Sequence, residues 1–348
     1  MPHQMERKMT TQWVGIDVAA KSISVAMWDD AAKRSQYIGE YGNDEAGFVQ
    51  MEKALGEQME VDTTINLVVE ATGGYELRLL SYAYERQWGI ALPNPKQVRD
   101  FAKGNGRRNK TDRADAQMLA DYGADKQPET QQMLPVELVE LDELVQRRLQ
   151  LEKHLRSEKS RLKQWQQRPR PAPAVTDSMQ RTIDHINEEL VAIETAIKSL
   201  LKSHPHHKRM VMRLLTAPGV GDKNVLHIFL ALHRFHVRTN GNGNTKSIVA
   251  FAGLDPNDFS SGSSIYRRSS ISKMGDSTLR RFLFMGAFGG IRGHNPLRHF
   301  YERLVARGKP KRKALVASAR KILVWCFVLF NNHVDFDPSF HSFPQSAS

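Results

Sequence analysis

A single cysteine, Cys326, occurs in 348 residues, so the chain can form neither an internal disulfide nor a cysteine-built zinc site. Its place inside the apolar run Ile322–Phe330 marks it as a core residue and suits a reducing compartment. Long hydrophobic runs are missing too. That run, the longest, has nine residues, where a membrane span takes about 20, and no membrane partner is expected. Residues 1–11 mix Glu6, Arg7 and Lys8 with polar neighbours and lack the apolar stretch of a secretory signal, which points to a cytoplasmic protein with a frayed N-terminus. Acidic charge is scarce in one half only. Residues 201–348 carry 7 Asp and Glu against 23 Lys and Arg, a net +16, whereas residues 1–200 carry 31 against 27, a net −4. Ten of the 13 histidines also fall in the second half. Such a half suits a polyanion, and nucleic acid is the natural partner because neutralising phosphates releases counterions. The plain alternative is a basic soluble protein without that ligand.

What is present divides into three parts, 12–130, 134–203 and 208–332, with 1–11 and 333–348 as flexible tails. Trp13–Val18 and Ser22–Trp28 predict a β-hairpin, Gln36–Tyr41 a third strand and Asp44–Gln58 an amphipathic helix. A buried strand Ile65–Glu70 follows, then a helix Tyr75–Gln87, a short strand Gly89–Leu92, and helices near Lys96–Lys103 and Thr111–Tyr122. Hairpin strands first and strand–helix alternation afterwards make a mixed α/β sheet. Between Leu134 and Leu201 the chain turns into long charged helices. Met179, Ile183, Ile186, Leu190, Ile193, Ile197 and Leu200 form a heptad seam, and Pro169, Pro171 and Pro173 interrupt the helix between two antiparallel arms. Such arms pack on each other or join protomers. From Met210 the chain is basic and mainly helical, ending in an apolar helix Lys311–Phe330.

Two acids stand where charge is costly. Asp17 lies mid-strand in Gly15-Ile-Asp17 and Glu70 ends Asn66-Leu-Val-Val-Glu70, and a bound cation is one way to neutralise them. Asp112 and Asp115, three apart, share a helix face. Four carboxylates from three segments form the hard oxygen set that suits Mg²⁺; the bland reading of Asp112 is as a helix cap. Lys103, Arg107, Arg108, Lys110 and Arg113 surround Asp112 and could hold phosphate. The segments Gly15-Ile-Asp17, Val69-Glu70-Ala-Thr-Gly-Gly and Lys110-Thr-Asp112-Arg-Ala-Asp115-Ala resemble the DEDD domain of insertion-sequence transposases of the one-ten family, which includes bridge-RNA-guided recombinases. The resemblance implies a ribonuclease-H-like, RuvC-type fold with Asp17, Glu70, Asp112 and Asp115 as its four acids.

In the C-terminal part, Leu214-Leu-Thr-Ala-Pro-Gly219-Val-Gly221 before the helix Lys223–Leu232 has the form of a helix-hairpin-helix, in which Gly219, Gly221 and Lys223 would meet a DNA phosphate. The alternative is an ordinary packing corner. Further on, the loop Ser260-Ser261-Gly262-Ser263-Ser264 stands before Arg267, Arg268 and Lys273. A hydroxyl there can attack phosphorus while cations hold the oxygens. The family resemblance, which runs through Trp13–Tyr122 and Leu214–Phe330, makes the serine before glycine the nucleophile. That is Ser261, with Ser260, Ser263 and Ser264 one alignment shift away.

Gly241-Asn-Gly-Asn-Thr-Lys246-Ser247 is a false phosphate loop, without glycine before its lysine. His204, His206 and His207 could bind metal, although without cysteine partners a solvated or phosphate-contacting role is expected.

The resulting expectation is a transposase that cuts and joins DNA through a serine nucleophile and a Mg²⁺-binding carboxylate tetrad. The resemblance implies a composite site with parts from different subunits, a homo-oligomer (dimer or tetramer), an element-encoded guide RNA, and a bacterial, nucleoid-associated setting. The competing readings are a RuvC-type metal-dependent junction nuclease without a covalent intermediate and a non-catalytic nucleic-acid-binding scaffold. A sugar-kinase-type enzyme shares the Gly-Ile-Asp strand but has no place for the arms or the basic half.

Overall fold

The computed structural model describes residues 10–59, 63–70, 73–105, 111–257, 260–261, 265–266 and 270–339. These form two compact units, one of residues up to 133 with 237–241, the other of 134–236 with 242 onward.

The first unit is built on a five-stranded sheet. Strands β1 (Thr10–Val18), β2 (Ser22–Asp29) and β3 (Arg34–Gly42) make the expected meander. Helix α1 (Glu45–Gly56) crosses to β4 (Thr63–Val69), and α2 (Leu77–Glu85) to β5 (Gly89–Ala91). The strand order is β3-β2-β1-β4-β5, with β4 and β5 running parallel to β1. This mixed sheet is consistent with a ribonuclease-H-like domain. Helices α3 (Pro95–Gly104) and α4 (Asp112–Lys126) follow.

Alternation along β1 sorts the sheet's two faces. Val14, Ile16 and Val18 enter one core with Phe48, Met51 and Leu55 of α1 and Leu79, Leu80 and Ala83 of α2. Trp13 packs on the other face against Met118, Leu119 and Tyr122 of α4. Gly15 lies between. A Cβ on Gly15 would stand 2.2 Å from both the Ala116 carbonyl and the Ala120 nitrogen, and one on Gly123 would stand 2.8 Å from Trp13 and Val68. Backbone therefore meets backbone here, with the small side chains of Ala26, Ala116 and Ala120 buried together.

A Gly15→Ala chain is expected to lose stability at the upper end of overpacking costs, about 3 kcal/mol, because the obstacle is helix backbone rather than a flexible side chain. Denaturant unfolding measures this, and a variant as stable as the parent would contradict the contact.

The second unit begins with the arms, α5 (Val136–Gln166) and α6 (Pro173–Ser203), which pack on each other. Of the heptad seam, Ile183, Ile186 and Ile197 are buried. Pro173 opens α6 rather than breaking it, since a helix's first residues need no amide donor. Helices α7 (Pro205–Leu215), α8 (Val225–Arg238) and α9 (Thr245–Phe251) come next. Two short two-stranded ribbons, β6 (Pro256–Asn257) with β9 (Ser270–Ile271) and β7 (Ser260–Ser261) with β8 (Ile265–Tyr266), precede α10 (Ser277–Gly290), α11 (Pro296–Ala306) and α12 (Lys311–Asn332).

Three expectations change. The arms are not a separate part: Leu138, Leu141, Val145 and Ile197 share one core with Met210, Leu214, Phe229 and Leu323. Helix α12 is, by length and composition, apolar enough to cross a bilayer, which counting uninterrupted runs missed. Its apolar residues, Ile322, Leu323, Trp325, Cys326, Phe327, Leu329 and Phe330 among them, are buried in that core. The thiol of Cys326 is pushed up to about 12 by burial, as an inert core residue requires. Finally, the C-terminal tail is held as far as it is described. The Phe336 amide donates to Thr216 Oγ1 at 2.9 Å, and its ring stacks edge-on against Trp325 at 4.9 Å. Of the expected N-terminal tail, residues 1–11, Thr10 and Thr11 belong instead to β1, paired with Thr63 and Thr64 of β4, and residues 1–9 lie outside the described residues.

Candidate active site and nucleic-acid interface

As β1 advances from Trp13 through Gly15 to Asp17, the facing residues on α4 recede from Gly123 through Ala120 and Ala116 toward Asp115 and Asp112. The close approach at Gly15 is what carries the helix's first turn to Asp17. Parallel pairing of Ile16 with Val69 places Glu70, one residue past β4, beside Asp17 on the next strand. Val68, two residues before Glu70, faces α4, so the same alternation turns Glu70 that way.

The acids act on one another electrostatically, although no three of their ligand oxygens lie within 4.8 Å of one another. Burial, then the charges of Asp115, Asp112 and Glu70, raise the Asp17 carboxyl from 3.8 to about 6. Asp17 and Glu70 are half-buried and Asp112 is exposed. Asp112 does not cap α4; Thr111 does, its hydroxyl accepting from the Ala114 amide at 3.2 Å. The positive end of the helix dipole then lies under Asp112 and Asp115, which favours two acids there. The donor set fits a divalent cation, because four oxygen-bearing acids that repel one another are what such an ion relieves.

One residue the sequence reading overlooked ties this site together. Asn43, 7% exposed, donates through Nδ2 to the Ala19 carbonyl at 2.9 Å and to the Tyr75 carbonyl at 3.0 Å. It thus links the loop after Asp17 to the segment after Glu70. Its position just before the Asp44 cap of α1 gave no sign of this in sequence.

Of the cations expected beside the acids, Lys103 is exposed near the end of α3, and Arg113 lies 4.9 Å over the Tyr37 ring. Arg107, Arg108 and Lys110 lie outside the described residues.

The described residues of the serine segment form short paired strands. Pro256 pairs with Ile271 and Asn257 with Ser270; Ser260 pairs with Tyr266 and Ser261 with Ile265. Ser261 is the last residue of β7, while Ser263, Ser264, Arg267 and Arg268 lie outside the described residues. The foot of the ribbon is rigidly built. Ser272 Oγ donates to Asp255 Oδ1, and Arg280 Nη1 donates to the Ala252 and Gly275 carbonyls at 3.0 and 2.6 Å. A Cβ on Gly275 would stand 1.9 Å from the Phe251 carbonyl, so glycine is needed there. Lys273 is exposed at φ +56° and lines a cavity of about 310 Å³ with Arg280 and Arg281. A second cavity of about 700 Å³ has Lys153 and Arg156 of α5 on one wall and Ser277, Thr278 and Arg281 of α10 on the other. Sequence could not pair those walls, more than 100 residues apart.

The glycine corner between α7 and α8 is packed on protein. Gly219, at φ +89°, would place a Cβ 2.5 Å from Ile322 Cδ1 and 2.9 Å from the Gly286 carbonyl. The Gly221 amide donates to Asn224 Oδ1 at 2.8 Å. The expected close approach of Gly219 is thus made to α10 and α12, with Lys223 exposed beside it. The false phosphate loop is a capping box: Asn244 and Ser247 satisfy each other's amides at the start of α9.

Comparison with known proteins agrees with this architecture at both ends. A family model of the DEDD domain of IS110 elements, described as a transposase, matches residues 14–168. A model described as the transposase IS116/IS110/IS902 family matches residues 211–302. The pilin gene-inverting protein of Moraxella bovis is 27% identical over 338 residues, 96% of this chain and the whole of that protein. The transposase for insertion sequence element IS1111A of Coxiella burnetii is 26% identical over 285 residues, 71% of this chain and 72% of that one. With both halves matched in order, the chain belongs to the IS110 family of transposases and is a DNA recombinase.

Proposed function

We propose that this recombinase cuts and joins DNA through a covalent serine–DNA intermediate, with Asp17, Glu70, Asp112 and Asp115 holding Mg²⁺ and Ser261 as nucleophile. The observation that carries the reading is the Asp17 carboxyl, held near 6 by burial and by acids from three other points in the chain. Magnesium bound there would polarise the scissile phosphate and offset the charge that builds on it.

The rest falls to the chain's own groups. The Ser261 hydroxyl forms the new phosphorus–oxygen bond and gives up its proton; the sugar oxygen that leaves takes one. One phosphodiester replaces another, so rejoining by a second strand's hydroxyl needs no outside energy source. Lys103, Arg107, Arg108, Lys110 and Arg113 near the acids, and Lys223, Arg267, Arg268 and Lys273 in the basic half, supply phosphate contacts. Lys153, Arg156 and Arg281 extend them along the larger cavity. Inversion by the Moraxella relative and insertion by the Coxiella one both consist of cutting and rejoining. A bridge RNA as guide and a homo-oligomeric assembly, dimer or tetramer, belong to the same proposal; the net +16 of the C-terminal half supports a polyanion of either sugar.

A recombination assay with purified protein, its flanking noncoding RNA, donor and target DNA tests the reading. Recombination should require both Asp17 and Ser261. Cleavage that survives Ser261→Ala indicates a hydrolytic nuclease, and recombination indifferent to Asp17→Asn contradicts the metal site.

A further inference from the structure

At the root of the arms three side chains with metal-binding atoms converge far from the acids described above. Helix α5 starts after Pro135 and helix α7 after His204, and the hairpin of the arms returns these two starts to the same place. Glu137 stands in the first turn of α5, and His206 and His207 in the first turn of α7. One ligand atom from each of the three lies within 4.8 Å of the others, the only such group among the described residues. His207 is buried, Glu137 half-buried and His206 exposed.

We propose that Glu137, His206 and His207 form a second metal site, specific for a borderline ion of the zinc type, that pins the arms to the C-terminal core. Three observations support it. First, His207 Nε2 and Glu137 Oε1 stand 3.4 Å apart, long for a charge-assisted hydrogen bond. Around a tetrahedral zinc with bonds of about 2.0–2.1 Å, neighbouring ligand atoms are separated by about 3.4 Å. Second, the exposed His206 ring lies beside that of His207, with centroids 3.8 Å apart, a small swing from the roughly 5 Å that two imidazoles on one tetrahedral zinc take. Nδ1 of His204 is 3.0 Å from the Leu200 carbonyl. His204, so held, is not one of the three converging ligands, and water would fill the fourth position of a tetrahedral ion. Third, the donor type separates the two sites. Two imidazoles and one carboxylate suit zinc, whereas the all-oxygen set around Asp17 suits magnesium. The ion would bind one residue before Leu138, where the arm enters the core.

The test uses the full-length chain stripped of metal. Zinc affinity is read by competition with a chromophoric chelator, and coordination by the visible spectrum of the Co²⁺ form. One zinc per chain should bind, with the intense bands of tetrahedral cobalt, and His206→Ala and Glu137→Gln should each weaken zinc at least ~10-fold. His206 is exposed, so its variant folds, which circular dichroism checks. Asp17→Asn, which removes an acid from the other site, should leave zinc affinity unchanged. Zinc affinity that is the same in parent, His206→Ala and Glu137→Gln chains overturns the proposal, as does weak octahedral cobalt absorption; zinc lost only in Asp17→Asn does so too and moves the ion to the carboxylates.

Discussion

Asp17→Asn is expected to lower recombination on the order of 1,000-fold, since a metal's charge stabilisation is worth several kcal/mol and each 1.36 kcal/mol is a factor of ten. DNA binding, which rests on the basic half, should survive, and gel shift under the same salt checks it. The same substitution should stabilise the metal-free protein. A carboxyl with a folded pKa of about 6 against 3.8 favours folding in its protonated form: that stability is full below pH 3.8 and is lost as pH rises through about 6. Discounted for water at a half-exposed group, removing the charge is worth about 1 kcal/mol at pH 8, a thermal midpoint rise of roughly 2–4 °C. Magnesium binds the deprotonated form, so its stabilisation of the parent chain should be slight at pH 5 and level off above pH 7. In Asp17→Asn that step should vanish. A parent chain whose response to magnesium is flat from pH 5 to 8 would contradict the assignment.

Ser261→Ala should reduce strand cleavage and joining on the order of 10,000-fold or below detection, the size of loss seen when a nucleophile acting with its partners is removed. Its stability should stay within about 0.5 kcal/mol of the parent, the usual range for a substitution that removes one hydroxyl outside a packed core network. Cleavage followed on labelled DNA, with an unfolding curve beside it, separates chemistry from folding. Single alanine replacements at Ser260, Ser263 and Ser264 should leave cleavage within a few-fold of the parent. If one of those three abolishes it and Ser261→Ala does not, the nucleophile is the neighbour.

The sheet was legible because its strands alternate strongly and its charged exceptions, Asp17 and Glu70, break runs of buried aliphatic residues. Asp17 and Glu70 stood out for the same reason, whereas Asp112 and Asp115 sit at a helix start where acids are ordinary and joined them only through the family resemblance. What brings them together was not legible. That depends on Gly15 meeting the backbone of α4, a contact between residues 100 apart that no local pattern announces. Thr111 rather than Asp112 as the cap was open in sequence, since either residue can accept that amide. The ribbon carrying Ser261 escaped because strands of two residues have no period, and serine and arginine favour no strand. Gly219 looked like a phosphate contact because glycine marks any close approach, and only the fold shows that Gly286 and Ile322 make it. The tail was expected to be loose from its polar composition, yet its described part is tied by the Phe336 ring on Trp325, the Phe336 amide to Thr216 and the Asp335–Arg213 pair.

The most direct test of the serine chemistry is to trap the cleaved complex, digest it and locate the modified peptide by mass spectrometry. The expected result is a nucleotide esterified to Ser261 that forms with Mg²⁺ and is absent without it. DNA ends released free, with unmodified peptide 260–266 recovered from a fully cleaved reaction, would contradict it.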